Sequence, residues 1–266
     1  MASFSIVNNI SSANASANLT ATNLSLTKTL ARLSSGLRIN SSGDDAAGLA
    51  VANSYRSQVA VLNQGILNAN DALSTLQIKD GALNNISTLL DRLSTLATQS
   101  ASSASAANRT TLDSEFQSVL GEITREATVA GLNASAGFSV FVSNNSTNGI
   151  IGGTVGAADA TGLSINTQSI ATAPNAALAV AAVATAVTTL GGVQGTVGQL
   201  ENRLSYAISL AQSQVVNTQA AESRLRDANI AAESANLTKY QILTQSGIAS
   251  LAQANQSSSA VLALLR

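Results

Sequence analysis

The chain has 266 residues, with 13 Lys+Arg, 14 Asp+Glu and a formal net charge of -1. It carries no His, Cys or Trp and a single Pro, which excludes imidazole and thiolate catalysis, thiolate zinc sites, His- or Cys-ligated haem and disulfide scaffolds. Charged residues are only 10% and aromatics 3%, against 45% hydrophobic; so few cations exclude strong phosphate binding, and so much apolar side chain excludes disorder.

The first twenty residues lack a basic stretch and a continuous apolar core, so no cleaved signal peptide is expected. No stretch is expected to reach the roughly 18 apolar residues of a membrane span, and the leucine stripes lack the Lys/Arg-rich polar face of a membrane-surface helix. Neither nucleic-acid binding nor membrane insertion is expected. Low charge with abundant Ala, Leu, Ser and Asn instead suits a surface covered by other subunits.

The N-terminal segment repeats every seven residues. Leu19, Leu26 and Leu33 form one row, and Asn23, Leu30 and Leu37 the next, as in a helix that pairs with another helix. Ser34-Ser35-Gly36 loosens it and Asn40-Ser41-Ser42-Gly43 breaks it; Asp44-Asp45 suits the next helix start. A second helix carries Leu62, Ala69, Leu76, Leu83, Leu90 and Ala97 at heptad spacing and is expected to end in a flexible connector at Ser100–Ser105. A third runs from about Arg109 to Ala130, with Leu112, Phe116, Val119 and Ile123 on one face.

Composition changes after Gly131. Phe138, Val140 and Val142 alternate with Ser139, Phe141 and Ser143, and a turn at Asn144–Gly149 before Ile150-Ile151 predicts a hairpin. Leu163 and Ile165 suggest another short strand. Pro174 fits the first turn of a new helix, which Gly191, Gly192 and Gly195 are expected to loosen. At the C-terminus Ile230, Leu237, Thr244, Leu251, Ser258 and Leu265 lie seven apart, beside Gln241, Ile248, Asn255 and Leu262. The fold class is therefore mainly α: an elongated antiparallel helical bundle or coiled coil from paired N- and C-terminal segments, with a small central β-hairpin insert. Ordering a terminal segment costs about 1–2 kcal/mol of backbone entropy per residue, and each seam leucine returns about 1.5–3 kcal/mol. Such a pair is marginal alone and is expected to firm when other subunits bury it.

The run Leu33-Ser34-Ser35-Gly36-Leu37-Arg38-Ile39-Asn40-Ser41-Ser42-Gly43-Asp44-Asp45-Ala46-Ala47-Gly48-Leu49-Ala50 closely resembles the N-terminal signature of bacterial flagellin. Ser223-Arg224-Leu225-Arg226-Asp227-Ala228-Asn229-Ile230-Ala231 is similar to that family's second signature, and Leu251-Ala252-Gln253-Ala254-Asn255-Gln256 and Val261–Arg266 also match. The resemblance covers the two helical ends of the chain. It implies a subunit stacked by the thousand into the extracellular filament of the bacterial flagellum, for swimming motility. It also implies unfolded export without signal cleavage through a type III apparatus, with an export chaperone and a filament cap as further partners. The domains it implies are an inner-tube coiled coil of residues 1–43 plus 228–266, a helical rod of 44–132 plus 173–227, and a short outer insert at 133–172. Inner-tube packing is expected at Leu19, Leu26, Leu30, Leu33, Leu37, Leu237, Ile248, Leu251, Leu262 and Leu265. Asp91–Ala101 is similar to the segment an innate immune receptor reads in this family; Arg92 and Leu96 match residues used there, and the epitope's acidic contact falls at Ser118. Arg92 and Leu96 are also expected at a contact between subunits in the rod.

Asp44 and Asp45 read as a helix cap at a subunit contact, since a hard cation needs more oxygen ligands than two adjacent carboxylates provide. Arg224, Arg226 and Asp227 read as intersubunit ion pairs or as solvated charges worth little. Gly149–Gly162 lacks the Gly-Lys-Ser/Thr ending of a phosphate loop. No catalytic constellation, cofactor or metal is expected. The rivals to a filament subunit are a hook–filament junction protein, which shares the terminal architecture, and a surface adhesin or immune ligand using the hairpin. Deleting about Phe138 to Ile165 is expected to leave polymerisation of a filament protein intact.

Overall fold

The computed structural model describes residues 8–143 and 149–263, with side chains as far as Gln256 in the last helix. In chain order come α1 (Ile10–Ser35), α2 (Ala46–Ala101), a 3-10 turn (Ser103–Ser105), α3 (Arg109–Val129), β1 (Ala136–Phe141), β2 (Ile150–Val155), α4 (Ala173–Arg226) and α5 (Ile230–Ala263). Two compact units result: one from residues 1–57 and 218–266, the other from 58–217. The expected fold class, helical with one small antiparallel hairpin, is what the chain adopts.

Helix boundaries follow local chemistry. Asn9 caps α1, its side-chain oxygen accepting from the Ser12 amide at 3.0 Å, and Gly36 ends it in the left-handed region at φ 70. The break therefore falls at Gly36, ahead of Asn40–Gly43. Asp45 Oδ1 accepts the Gly48 amide at 2.8 Å and starts α2 as its cap. At the end of α2 the guanidinium of Arg109 donates to the carbonyls of Ser100 (2.9 Å) and Ser102 (3.0 Å), covering the free carbonyls and negative end of that helix. Ser100 is not part of a flexible connector: it is fully buried, and its hydroxyl donates to the Ile170 carbonyl at 2.6 Å. After α3, Gly131 takes φ 65, with Leu132 N–H on Ala127 O (2.7 Å) and Gly131 N–H on Thr128 O (3.1 Å). This paired closure satisfies the last carbonyls and seats Leu132 in the core.

The 58–217 unit holds the main core. All six heptad positions of α2, Leu62 to Ala97, are buried, as are Phe116 and Ile123 of α3. On α4 the buried row Ala176, Ala179, Val183, Ala186, Leu190, Val193, Val197, Leu200 and Leu204 keeps three- and four-residue spacing. That row runs unbroken past Gly191, Gly192 and Gly195, so the helix is not loosened there: burial on one face outweighs the glycine cost. These glycines are exposed or open, and a Cβ on any of them meets nothing within 4 Å. Gly191→Ala and Gly192→Ala are each expected to stabilise the monomer by about 0.5–1 kcal/mol, read as a higher thermal midpoint; a lowered midpoint would show that α4 needs glycine there.

α4 also corrects the expectation that no segment is apolar enough to span a membrane. It holds an 18-residue window of mean hydropathy 1.9, sufficient by length and composition. Ala, Thr and Gly interrupt that run without charging it, which hid it from a search for continuous large apolar residues. Its buried row packs in the core of the 58–217 unit.

The hairpin pairs antiparallel from Ala136↔Val155 to Phe141↔Ile150. Val140, Val142, Ile151 and Val155 turn into the core while Phe141 stays exposed, as the alternation predicts. The turn joining the strands, from residue 144 to 148, lies outside the described residues. Leu163 and Ile165 do not form the expected strand. Both are buried in a chain reversal where Leu163 N–H reaches Asp159 O (2.9 Å), Ile165 N–H reaches Ala160 O (2.9 Å) and Ser164 sits at φ 57. Asp159 sets it, accepting the Gly162 amide at 2.8 Å. The insert is thus part of the core, and deleting Phe138 to Ile165 would strip at least seven buried apolar residues, among them Val140, Val142, Ile151, Val155, Ala158, Leu163 and Ile165, from the 58–217 unit. Polymerisation of such a deletion would therefore report on the folding of the 58–217 unit as well as on the hairpin's own role.

Candidate assembly interface

In the 1–57/218–266 unit α1 and α5 pack antiparallel. Asn9 Nδ2 donates to Ala254 O at 2.9 Å, Ser12 Oγ to Asn255 Oδ1 at 2.9 Å, and Thr244 Oγ1 to Asn23 Oδ1 at 3.5 Å. Leu19 lies against Gly247, where a Cβ would stand 3.1 Å from Leu19 Cδ1. Leu19, Leu26, Leu33, Leu37, Leu237 and Leu251 are half-buried along this pair. Leu30 and Ile248 are not in the seam at all: they stand 47% and 56% exposed. The Leu262 side chain and Leu265 lie outside the described residues. No large aliphatic side chain of α1 or α5 is fully buried among the described residues, in contrast with the leucine core of the other unit. Ile10, Leu24, Ile242 and Leu243 are exposed as well. A groove of about 380 Å³ between the two helices is lined mostly by small and polar residues, among them Asn14, Asn18, Thr22, Ser246 and Ser250, together with Leu19 and Leu243.

The two helix breaks meet. Leu37 and Asp227 form an isolated antiparallel bridge, with Arg38 N–H on Arg226 O (2.6 Å) and Ala228 N–H on Gly36 O (2.9 Å). Arg38 Nη2 adds a bond to Leu225 O at 2.9 Å. Arg32 reaches two carboxylates, Glu233 at 3.5 Å and Asp44 at 3.8 Å, and so ties α1 to α5 and to the α1–α2 turn. Glu233 is nearly buried. Arg226 pairs with Glu222 at 3.7 Å, and the Ser223 hydroxyl donates to Asp227. The heptad rows pointed to the seam, but Arg32 and Glu233 carry no local signal, because their pairing joins residues far apart in the chain.

Asp44 gathers the amides of Ser41 (3.2 Å) and Asn40 (3.3 Å) on Oδ2. These amides first, then the Ser41 hydroxyl and the Arg32 charge, hold its carboxyl below the usual aspartate value of 3.8. The folded carboxylate therefore binds its proton less tightly than the unfolded one. The stability it contributes is complete above the ordinary aspartate range and is lost as pH falls through the depressed folded value. Asp44→Asn is expected to flatten that acid limb, measured as thermal midpoint against pH from about 5 down to 2; superimposable profiles for both proteins would contradict this role.

Arg92 lies on the surface, in an ion pair with Glu115 of α3, while Leu96 is fully buried in the core of its own chain and offers no surface contact. Ser118, the expected acidic position, is an exposed hydroxyl that donates back to Ser114 O at 2.9 Å. Arg224 is exposed on the last turn of α4.

Comparison with known proteins agrees with this architecture. Residues 6–139 match the bacterial flagellin N-terminal helical region and residues 180–265 the bacterial flagellin C-terminal helical region. The chain is 34% identical to flagellin FlaB1 of Treponema pallidum over 284 aligned positions, covering 98% of this chain and 99% of that one. It is 36% identical to the flagellar filament 33 kDa core protein of Treponema phagedenis, with the same coverage. The crystal structure of Bacillus cereus flagellin aligns with a TM-score of 0.47 at 26% identity, over 59% of this chain and 94% of that one. On these matches at both ends of the sequence, the chain belongs to the bacterial flagellin family, the structural subunits of the flagellar filament.

Proposed function

We propose that the paired helices α1 and α5 are the polymerisation element of this subunit and that function lies in assembly, with no reaction at a site. One observation carries this reading: the pair exposes Ile10, Leu24, Leu30, Ile242, Leu243 and Ile248 while its own seam is held by amides, hydroxyls and half-buried leucines. Burying each of those aliphatic side chains against neighbours is worth about 1.5–3 kcal/mol. The small-residue groove gives bulky groups a place to go. A contact in which one copy's exposed aliphatic side chains enter a neighbour's groove is head-to-tail, which need not close and so builds helical polymers. Leu19, Leu26, Leu33, Leu37, Leu237 and Leu251 are assigned to the seam, with Leu30 and Ile248 facing neighbouring copies. Asp44, Asp45, Arg226 and Asp227 brace the junction from within the subunit. The filament so formed is extracellular, and the subunit travels to it unfolded through the flagellar export apparatus, with a chaperone and a cap as partners.

The test is seeded growth. Purified monomer is added to sheared filament fragments and followed by light scattering and electron microscopy. Long filaments extending from the seeds are expected. Short closed rings would assign the chain to the hook–filament junction, and persistent monomer would overturn the polymerisation reading.

A further inference from the structure

A hollow of about 280 Å³ opens beside the last turn of α4, lined by Val51, Tyr55, Ala221, Arg224 and Leu225. Its walls are aliphatic and aromatic, and its one charge is Arg224. The neighbouring arginines are all engaged: Arg32 holds two carboxylates, Arg38 the Leu225 carbonyl, and Arg226 holds Glu222. Arg224 has no hydrogen-bond or ion-pair partner among the described residues. Lys28 is likewise free but lies on open helix surface. In a chain with 13 cations and 14 anions, an unpaired arginine set in an apolar recess has a complement to find. Among the described residues two exposed carboxylates lack a side-chain partner, Asp71 and Asp91, both on α2.

We infer that this hollow is a docking site for a second copy of the chain, which seats the Asp71 or Asp91 carboxylate on the Arg224 guanidinium with Tyr55 and Val51 excluding water around the pair. The inference rests on the polymerisation reading and adds to it a second, charged contact away from the α1·α5 seam. Physical chemistry favours this occupant in three ways. A guanidinium binds carboxylate through paired parallel hydrogen bonds, which fixes orientation as well as distance. An apolar wall lowers the local dielectric and strengthens a pair that in open water would be nearly worthless. Donor and acceptor are different residues of the same chain, so each copy can give one contact and receive another, which propagates along a polymer.

The experiment uses wild-type seeds and full-length monomers. Arg224→Glu is expected to slow elongation at least tenfold while leaving the monomer's thermal midpoint unchanged. Adding Asp71→Arg or Asp91→Arg to the same chain reverses both charges, and one of the two double variants is expected to recover most of the rate. Arg224→Gln, which keeps much of the side chain's length without its charge, covers the case of a charge-reversed chain that does not fold; its elongation should be slowed and should lose most of its dependence on salt. Elongation of Arg224→Glu at the wild-type rate, or failure of both double variants to recover it, overturns the docking site. Wild-type monomer that does not grow on seeds would instead overturn the polymerisation reading itself, a result the variants cannot mimic.

Discussion

Gly65→Ala should strip the hairpin from the helical core. A Cβ at Gly65 would stand 1.9 Å from the Val142 carbonyl oxygen, 2.5 Å from its carbon and 2.9 Å from its Cα. Every one of those atoms is backbone, so no side chain can swing away. Relief requires the strand to retreat by more than about an ångström, and Val140, Val142 and Ile151 would leave the core with it. The expected cost is about 3 kcal/mol or more, at the upper end of overpacking, which corresponds to a fall in thermal midpoint of roughly 6–12 °C for a unit of this size. Calorimetry of the monomer measures it. Alanine at Gly191 is the internal control, since the same substitution there meets open space and should raise the midpoint. A Gly65→Ala midpoint equal to wild type would mean the helix and hairpin are not in contact in solution.

The second large effect concerns assembly. Leu251→Asp and Leu33→Asp place a carboxylate in the half-buried seam between α1 and α5. An unpaired charge in an apolar contact costs several kcal/mol. The pair has little stability to spare, since its described seam is largely polar. Both variants are expected to fail to elongate on seeds while the 58–217 unit melts as in wild type, because neither residue belongs to it. Filaments of normal length from both would remove these leucines from the assembly surface.

Periodicity made much of this readable from sequence. A heptad row records which face of a helix is dry, so Leu62, Leu76, Leu83 and Leu90 could be placed in a core before any coordinates, and all are buried. The alternation of Val140, Phe141 and Val142 likewise fixed the faces of β1. Reading failed where tertiary context overrides local preference. Glycine at 191, 192 and 195 weakens a helix in isolation, but a continuous buried ridge on the other face holds α4 together. Leu163 and Ile165 look like strand and are not, because Asp159 turns the chain four residues before Leu163. Leu96 and Arg92 sit in one motif, and only the fold shows that the first is interior while the second is paired at the surface. On the candidate interface, leucine spacing located the seam, while Arg32, Glu233 and the Arg224 hollow depend on contacts between distant parts of the chain and leave no trace in either segment alone.

The placement of the strand ends bears on how such a chain can change in length. Phe141 pairs with Ile150, and the Val142 amide bonds to Gly149 O at 2.8 Å, so the two ends of the intervening segment are held a strand spacing apart by the hairpin itself. Closing a longer excursion between fixed ends costs only about 0.6 kcal/mol per doubling of its length. Between Val142 and Gly149, therefore, new sequence can be accepted almost without penalty to the core, whereas a single residue added inside either strand, before Val140 or after Ile151, would turn inward side chains outward. The hairpin tip is thus a doorway for growth and loss of outer sequence, and an epitope tag or a whole guest domain grafted there should leave the surrounding scaffold in register.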